Sequence, residues 1–438
     1  MSFVSIVISV IILGILVIVH EFGHFIIARK NGIFVKEFSI GFGPKIISHK
    51  CKSGMLLSWK AIPFGGSCRM LGMFEDEDAG SDDERSYESK SVWARMSVTL
   101  GGPFFNLLLA WILAVIVIGS SGYDPAVVTS VLEDSPVYDA GLRPGDVITS
   151  YNGASIDFGK EIYLENYITP FVSEDQTIEI TYQRDGESYN ISVHPAKYDY
   201  YAVGISYYAD ENPAEIADVT EGGPTAKAGL KTGDIITAID GTSISTGTDL
   251  SEYFSTHEIT DAAIEIDYQR HGMDYHAVVV PQMASTYKLG FSYNTANVKG
   301  TVGDVLKYSF AEMKYEIVSV FKSLGILFSG NGSLDMLSGP VGIVEVVGET
   351  YDASARSGFF TVFINMLGIM LMLSANLGVL NLLPFPALDG GKFILLIIEA
   401  IIRKPVPKKF EGIVTLIGAS LLFLLMIVVL VNDITKFF

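Results

Sequence analysis

Cysteine is almost missing: Cys51 and Cys68 stand alone among 438 residues, which excludes the disulfide framework of a small secreted scaffold. A zinc site built on that pair would need two more ligands, and only His49 is close by. The two read as reduced, structural thiols. Charge is scarce as well. Only 18% of residues are charged against 49% hydrophobic, with a mean hydropathy of +0.38, too apolar for a soluble enzyme and too patterned for disorder. Basic residues are the scarcer sign, 30 against 49 acidic for a net charge of -19. That balance excludes a broad electrostatic footprint on nucleic acid, so no nucleic-acid partner is expected.

Long apolar runs are what the chain has instead, near residues 2–28, 97–119, 359–383 and 412–432. Each is long enough to cross about 30 Å of hydrocarbon as a helix. The first has no basic leader and no small-residue cleavage site, so it reads as a retained span rather than a signal peptide. Segment 29–95 holds eleven Lys and Arg, and the short 402–410 connection adds Arg403, Lys404, Lys408 and Lys409; both are expected on the cytoplasmic side. The long 120–358 segment carries 13 basic and 35 acidic residues, an acidic excess larger than that of the whole chain. It is expected outside, with both termini.

The outer segment repeats itself. The string from Ser135 to Gly153 returns from Gly223 to Gly241 at a constant offset of 88 residues, with Ala-Gly-Leu, Gly-Asp and Ile-Thr in register. A period this long is a domain duplication. The pattern predicts a short helix ending at Gly141 or Gly229, a Gly-Asp turn, an apolar strand and a hairpin at Asn152-Gly153 or Asp240-Gly241. Both copies resemble PDZ domains of the bacterial protease type. The resemblance implies either that an extended peptide or substrate tail adds as a strand, or that the pair acts as a folded size filter. Farther on, Leu306, Phe310, Met313, Ile317, Phe321 and Leu324 recur at steps of three or four, which predicts an amphipathic helix over 302–328 in the outer interface or against the second repeat.

Chemistry enters at the inner end of the first run. In His20-Glu-Phe-Gly-His24 the histidines lie one helical turn apart on one face, able to hold one Zn2+ while Glu21 reaches the attacking water. His20 lies about 13 Å below the boundary set by Arg29, at 1.5 Å per residue. Ionisable groups at that depth need a metal, a partner or a cavity. The alternative, histidines as polar glue between helices with Glu21 protonated, leaves much polarity to satisfy. A catalytic zinc takes three protein ligands, and Asp389, after Pro384 and Pro386, is the third candidate. Irregular backbone at membrane depth is tolerated where it lines a cavity. Taken alone, Asp389 is equally a helix-capping turn residue.

With these strings the sequence resembles the site-2 protease family of intramembrane zinc metalloproteases, in its bacterial two-PDZ form, over nearly the whole chain. Also matching are Gly102-Pro-Phe-Phe-Asn106, Leu337-Ser-Gly-Pro-Val-Gly342, the Asn376 to Pro386 string, and Gly41–Pro44 with Ile62–Met70 as a membrane-associated β region. The resemblance implies His20, His24 and Asp389 as zinc ligands and Glu21 as the catalytic acid and base. It implies substrate contacts at Asn376 and Asn381, and at Gly102, Asn106, Gly65 and Gly66. It implies a multi-pass protein of the bacterial inner membrane, in contact with the lipid bilayer. Its substrates would be pre-trimmed single-span proteins, such as an anti-sigma factor or a remnant signal peptide.

The expected fold class is a multispan α-helical membrane protein with four transmembrane helices, a membrane-associated β region and two tandem extracytoplasmic PDZ domains. The expected boundaries are 1–29, first span; 30–95, β region with an acidic loop at 75–88; 96–120, second span; 121–200 and 201–285, the PDZ pair; 286–357, linker with the amphipathic helix; 358–391, third span with Leu-Asp-Gly; and 392–438, connection and fourth span. The acidic loop reads as solvated or as a gate. Two other functions compete: a catalytically silent PDZ scaffold with a structural metal, against which an intact Glu21 speaks, and a metal transporter. The transporter requires polar residues along several spans, and spans two and four offer little beyond Asn106.

Overall fold

A computed structural model describes residues 2–73, 83–209, 212–294, 296–329, 337–355 and 357–437. Most of the expected acidic loop, 74–82, lies outside the described residues. The chain opens with helix α1 (Phe3–Lys30), strands β1 (Val35–Lys50) and β2 (Leu56–Met70), and helix α2 (Val92–Ser121). A first repeat follows: β3 (Val128–Val131), α3 (Pro136–Asp139), β4 (Val147–Tyr151), β5 (Ala154–Ser155), α4 (Gly159–Ile168), β6 (Ile178–Arg184) and β7 (Glu187–Val193). Then come β8 (Ala196–Ala202), β9 (Ile205–Tyr207), β10 (Ile216–Val219), α5 (Pro224–Lys227), β11 (Ile235–Ile239), β12 (Thr242–Ser243), α6 (Gly247–Thr256), β13 (Ile264–Arg270), β14 (Met273–Val279), β15 (Gln282–Lys288) and β16 (Phe291–Tyr293). Helices α7 (Val302–Phe328), α8 (Pro340–Ala355), α9 (Phe359–Leu382), α10 (Asp389–Ile402) and α11 (Lys408–Phe437) complete it.

Two compact units result, residues 126–294 and the remainder. In the helical unit α1, α2, α9 and α11 are long and apolar enough to cross a membrane, matching the four predicted runs. Small residues set their spacing. A Cβ on Gly23 would lie 2.2 Å from the Gly101 carbonyl oxygen, so α1 and α2 cross backbone to backbone, as close-packed helices in lipid do. Between them α1, α2 and α9 bury Ile12, Leu16, Leu113, Met366, Ile369 and Leu371, joined by Val347 of α8. The periodicity over 302–328 becomes α7, capped by Thr301 and Asp304 and packed on α2 and α9. Helix α8 carried no sequence signal of its own; its start is tied to α11, whose buried Asp433 accepts the Gly339 and Gly342 N–H groups.

One boundary moves here. Residues 358–391 read as one span, but α9 stops at Leu382 and Asp389 opens a separate helix, α10. Pro384 and Pro386 cannot donate to a helix ladder, and α10 folds back so tightly that a Cβ on Gly390 would lie 2.2 Å from the Leu383 carbonyl oxygen.

Strands β1 and β2 are long and bent. Val35 to Ile40 pairs on one side with Met70 to Gly66 and on the other with Leu56 to Trp59, which pairs in turn with Lys50 to Ile47. Two strands thereby make a sheet four strands wide.

The second unit contains the duplication, and each copy forms a four-stranded sheet, β5-β4-β6-β7 and β12-β11-β13-β14. Both predicted hairpin turns form, with Tyr151 opposite Ala154 and Ile239 opposite Thr242, and with Asn152, Gly153, Asp240 and Gly241 all at positive φ as this turn type requires. Asp146 and Asp234 explain the repeated Gly-Asp. Each is buried, caps its turn by accepting the N–H of Arg143 or Lys231, and holds Arg184 or Arg270 at 2.7 Å. The hydrogen bonds to the carboxylates raise the pKa of Arg184 and Arg270 further, against the opposing effect of desolvation.

The repeats exchange strands. β16, after the second copy, pairs with β3 of the first, β9 pairs with β10 of the second, and β8 pairs with β15 between them. The expected limits 121–200, 201–285 and 286–357 therefore need correction: 286–288 completes β15 and 291–293 is the closing strand of the first copy, since a sheet edge is stabilised by whichever strand reaches it.

Candidate active site

His20 and His24 sit on the C-terminal third of α1, one turn apart as predicted. Their Nε2 atoms are 3.2 Å from each other and 3.1 and 3.3 Å from Oδ2 of Asp389, at the start of α10. That oxygen is buried and accepts no hydrogen bond. Among the described residues these three form the one cluster of ligand atoms close enough to hold a metal, all within 4.8 Å of one another. Two nitrogens and a carboxylate oxygen converging on one point, with the oxygen otherwise unsatisfied, fit a zinc ion and suit no purely structural need.

Helix α2 completes the cluster with residues that the sequence reading placed among substrate contacts. A Cβ on Gly102 would lie 2.5 and 2.6 Å from the two Nε2 atoms, so any other residue would fill the space where the ligands meet. Asn106 is fully buried, with its amide 3.2 Å from Nδ1 of His20, and its other amide atom, Oδ1, has no partner. An amide oxygen at that place would accept the Nδ1–H of His20, as the Val98 carbonyl, 2.8 Å from Nδ1 of His24, does for the other ring. Each imidazole then presents Nε2 to the shared point, the arrangement that second-shell acceptors enforce. Asn106 is held in turn by Ser374 of α9, which donates to its carbonyl oxygen at 2.8 Å.

The remaining expected residues divide. Glu21 is half-buried beside the cluster, and a Cβ on Gly66 would stand 3.4 Å from its Cγ, so the edge strand 66–70 runs past the acid. Gly65 is turned the other way, at φ +79 with the Phe42 ring filling the place of a side chain. Asn381 donates to the Leu377 carbonyl of its own helix at 2.9 Å, and Asn376 is half-buried one turn and a half earlier. Cys68, on the same edge strand, is a free thiol pushed up to about 12 by burial and by the charge of Glu21, in line with a structural role.

One ion pair and one cation–π contact, absent from the sequence reading, hold α10. Arg95 of α2 forms a two-pronged pair with Glu399, and Lys392 lies 4.8 Å over the Tyr87 ring. Only the apolar repeat of α10 hinted at a face to be docked; the partners lie 304 residues apart in sequence.

Comparison with known proteins agrees with this geometry. The model of peptidase family M50 matches residues 8–425. The chain is 29% identical to a putative zinc metalloprotease of Vibrio cholerae over 98% of this chain and 97% of the relative. It is 31% identical to zinc metalloprotease RasP of Geobacillus kaustophilus over 99% and 98%, and 28% identical to probable protease eep of Enterococcus faecalis over 99% of each. Part of it is similar to the HtrA3 PDZ domain bound to a phage-derived ligand, at 16% identity over 21% of this chain and 93% of that domain, with a TM-score of 0.18. A matched family model over nearly its whole length, on a chain whose histidine pair and distant aspartate meet at one point, places the protein in peptidase family M50, the site-2 protease type of membrane-embedded zinc metalloprotease.

Proposed function

We propose that the protein hydrolyses peptide bonds within the transmembrane segments of pre-trimmed single-span proteins, with His20, His24 and Asp389 holding zinc and Glu21 as acid and base. The observation that carries this reading is the meeting of three metal-ligand atoms within 4.8 Å inside an apolar span, with Glu21 between them and a strand edge. A helical substrate has its carbonyls hydrogen-bonded, so it must unwind before water can attack. The Gly66–Met70 edge supports that step, because β2 pairs there with β1 on one side only, and an extended stretch of substrate adds to such an edge by backbone hydrogen bonds.

Zinc, when bound, supplies a Lewis acid that brings the pKa of water to about 7 and polarises a carbonyl. Glu21 takes the proton of the attacking water and returns it to the leaving amine. Gly102 leaves room at the point of attack. Asn106 and the Val98 carbonyl hold the imidazoles in the tautomer that faces the cluster. Asn376 and Asn381, on α9, orient the substrate from the opposite side.

We further read the repeats as two extracytoplasmic PDZ domains, with the basic 29–95 and 402–410 segments and the active site toward the cytoplasm of a bacterial inner membrane. The first repeat has a cavity of about 480 Å³ between β3, the exchanged β16 and the end of α4, lined by Leu132, Tyr151, Phe171, Leu289 and Phe291 with Lys288 at its rim. Such a groove favours reception of a trimmed substrate tail over a role as a bare size filter.

The test is cleavage of a single-span substrate by detergent-purified protein, intact and as Glu21→Gln, with zinc measured in both. Cleavage by the intact form alone, with zinc in both, is expected. Zinc bound in both forms with a panel of trimmed substrates left uncut would replace the protease by a scaffold.

A further inference from the structure

The two repeats share a fold but not the chemistry of their grooves. In the first, β16 follows Gly290; in the second, β9 follows Gly204. Both glycines have φ +86, and their carbonyls accept the N–H of Leu132 at 2.8 Å and of Thr220 at 3.0 Å. Lys288–Tyr293 therefore answers to Ala202–Tyr207 at an offset of 86 residues, while α4 answers to α6 at 88. At three of the matched positions the residues differ in kind: Lys288 stands against Ala202, Tyr151 against Ile239, and Asn166 against Phe254.

Those exchanges open one groove and shut the other. In the second repeat the Phe254 ring of α6 lies 6.0 Å from that of Tyr207, and both pack with Ile205 and Ile259 on the core, so helix and strand meet through apolar side chains. In the first, the cavity of about 480 Å³ lies between them, with Tyr151, Asn166 and Lys288 on its lining. Tyr151, buried in the core, donates its hydroxyl to Oδ1 of Asn166 at 2.8 Å. That bond fixes the amide, and its N–H groups have no acceptor among the described residues. A donor on the wall of a largely apolar pocket suits a ligand that brings an acceptor. Lys288 is exposed at the rim and joins no ion pair among the described residues, although its segment carries 13 basic against 35 acidic residues. Strand β16 pairs with β3 on one side, which leaves its other edge toward the cavity.

We propose that the first repeat alone receives a protein tail ending in a free carboxylate, and that the second is a closed spacer. The tail adds as a strand to the open edge of β16, pairs its terminal carboxylate with Lys288 and takes a hydrogen bond from the Asn166 amide. Charge complementarity selects this occupant. An unpaired ammonium beside a strand edge favours a chain end over an internal loop, because the carboxylate created by trimming is the backbone acceptor that carries a full charge. This inference rests on the reading of the repeats as receptors of a trimmed tail, and narrows it to one copy and to one end of the ligand chain.

The experiment uses the full chain in detergent and a set of fluorescein-labelled octapeptides with each of the twenty residues at the last position, made both as free acids and as carboxamides. Anisotropy should show free acids bound and their amides weaker by about tenfold. Lys288→Ala, which copies the second repeat, should erase that difference, and Lys288→Arg should keep it. Asn166→Phe should abolish binding with an unchanged thermal transition, and Phe254→Asn should leave it as it was. Hydrogen exchange on the unmutated chain reads the site independently: the best-bound free acid should protect β16 and α4 and leave β9 and α6 as they were. Equal binding of acids and amides, protection in the second repeat, or no binding by any peptide of the set would each overturn the proposal. The same affinities are expected in Glu21→Gln protein. A chain that binds tails and cuts nothing therefore sinks the proteolytic reading alone, and one that cuts but binds no tail sinks this proposal alone.

Discussion

Gly102 and Asn106 show how much of this site is made by residues that carry no charge. A methyl group at 102 would stand within 2.6 Å of both ligand nitrogens; Gly102→Ala protein is therefore expected to fold, by its thermal transition in detergent, but to purify with little zinc. Asn106→Ala leaves the ligands in place and frees the His20 ring. Its zinc affinity, measured by chelator competition, should fall by about ten- to a hundredfold. The histidine pair and Glu21 were readable from their spacing on one helix, and Asp389 from its lone carboxylate after two prolines. The closeness of Gly102 and Asn106 to the histidines was not, because a residue of another helix that packs beside a ligand atom leaves its trace only in three dimensions.

At the scale of elements, Asp389, the proposed third ligand, is only as well placed as α10. That short helix is held at its far end by the Arg95–Glu399 pair, both side chains largely buried. Either Arg95→Glu or Glu399→Arg leaves two like charges in contact and should cost about 3 kcal/mol, with zinc occupancy falling in parallel. The double exchange restores opposite charges, and recovery of zinc binding in it would show that the pair acts by positioning. Glu37 governs the bend of the hairpin in a pH-dependent way. Burial disfavours its charge, but the neighbouring Ser58 hydroxyl and the Lys45 ammonium at 3.0 Å outweigh this and hold its carboxyl below the usual carboxylate range. Its stabilising contribution is then full above about pH 4.3 and is lost as the pH falls through its own lower value. Hydrogen exchange in β1 and β2 should quicken over that interval, and Glu37→Gln protein should lack the effect.

Across the whole molecule, the strand exchange links the two repeats while each keeps a buried core of its own. The first copy is closed by β16, a strand that follows the second copy. Phe291→Asp places a charge in that strand and should destabilise the first copy by about 2–3 kcal/mol. Amide protection would then be lost in β3, β4 and β6 while β11 and β13 keep theirs; equal loss in both copies would mean that the exchange couples them fully.

Local pattern determined most of the elements. Four runs of apolar residues could satisfy their backbones in lipid only as helices, a three- and four-step repeat became α7, and two Asn/Asp-Gly turns set the register of two hairpins. The sequence by itself also paired the histidines, since one helical turn relates them. Only the tertiary structure decided which strand closes which repeat, that a separate helix begins at Asp389, and that α2 packs Gly102 and Asn106 against the histidine–aspartate cluster. Those outcomes depend on backbones approaching at Gly23, Gly101 and Gly390 and on partners up to 304 residues apart. Contacts at such separations leave no periodic trace in the chain, because nothing about the intervening residues records which surfaces will meet.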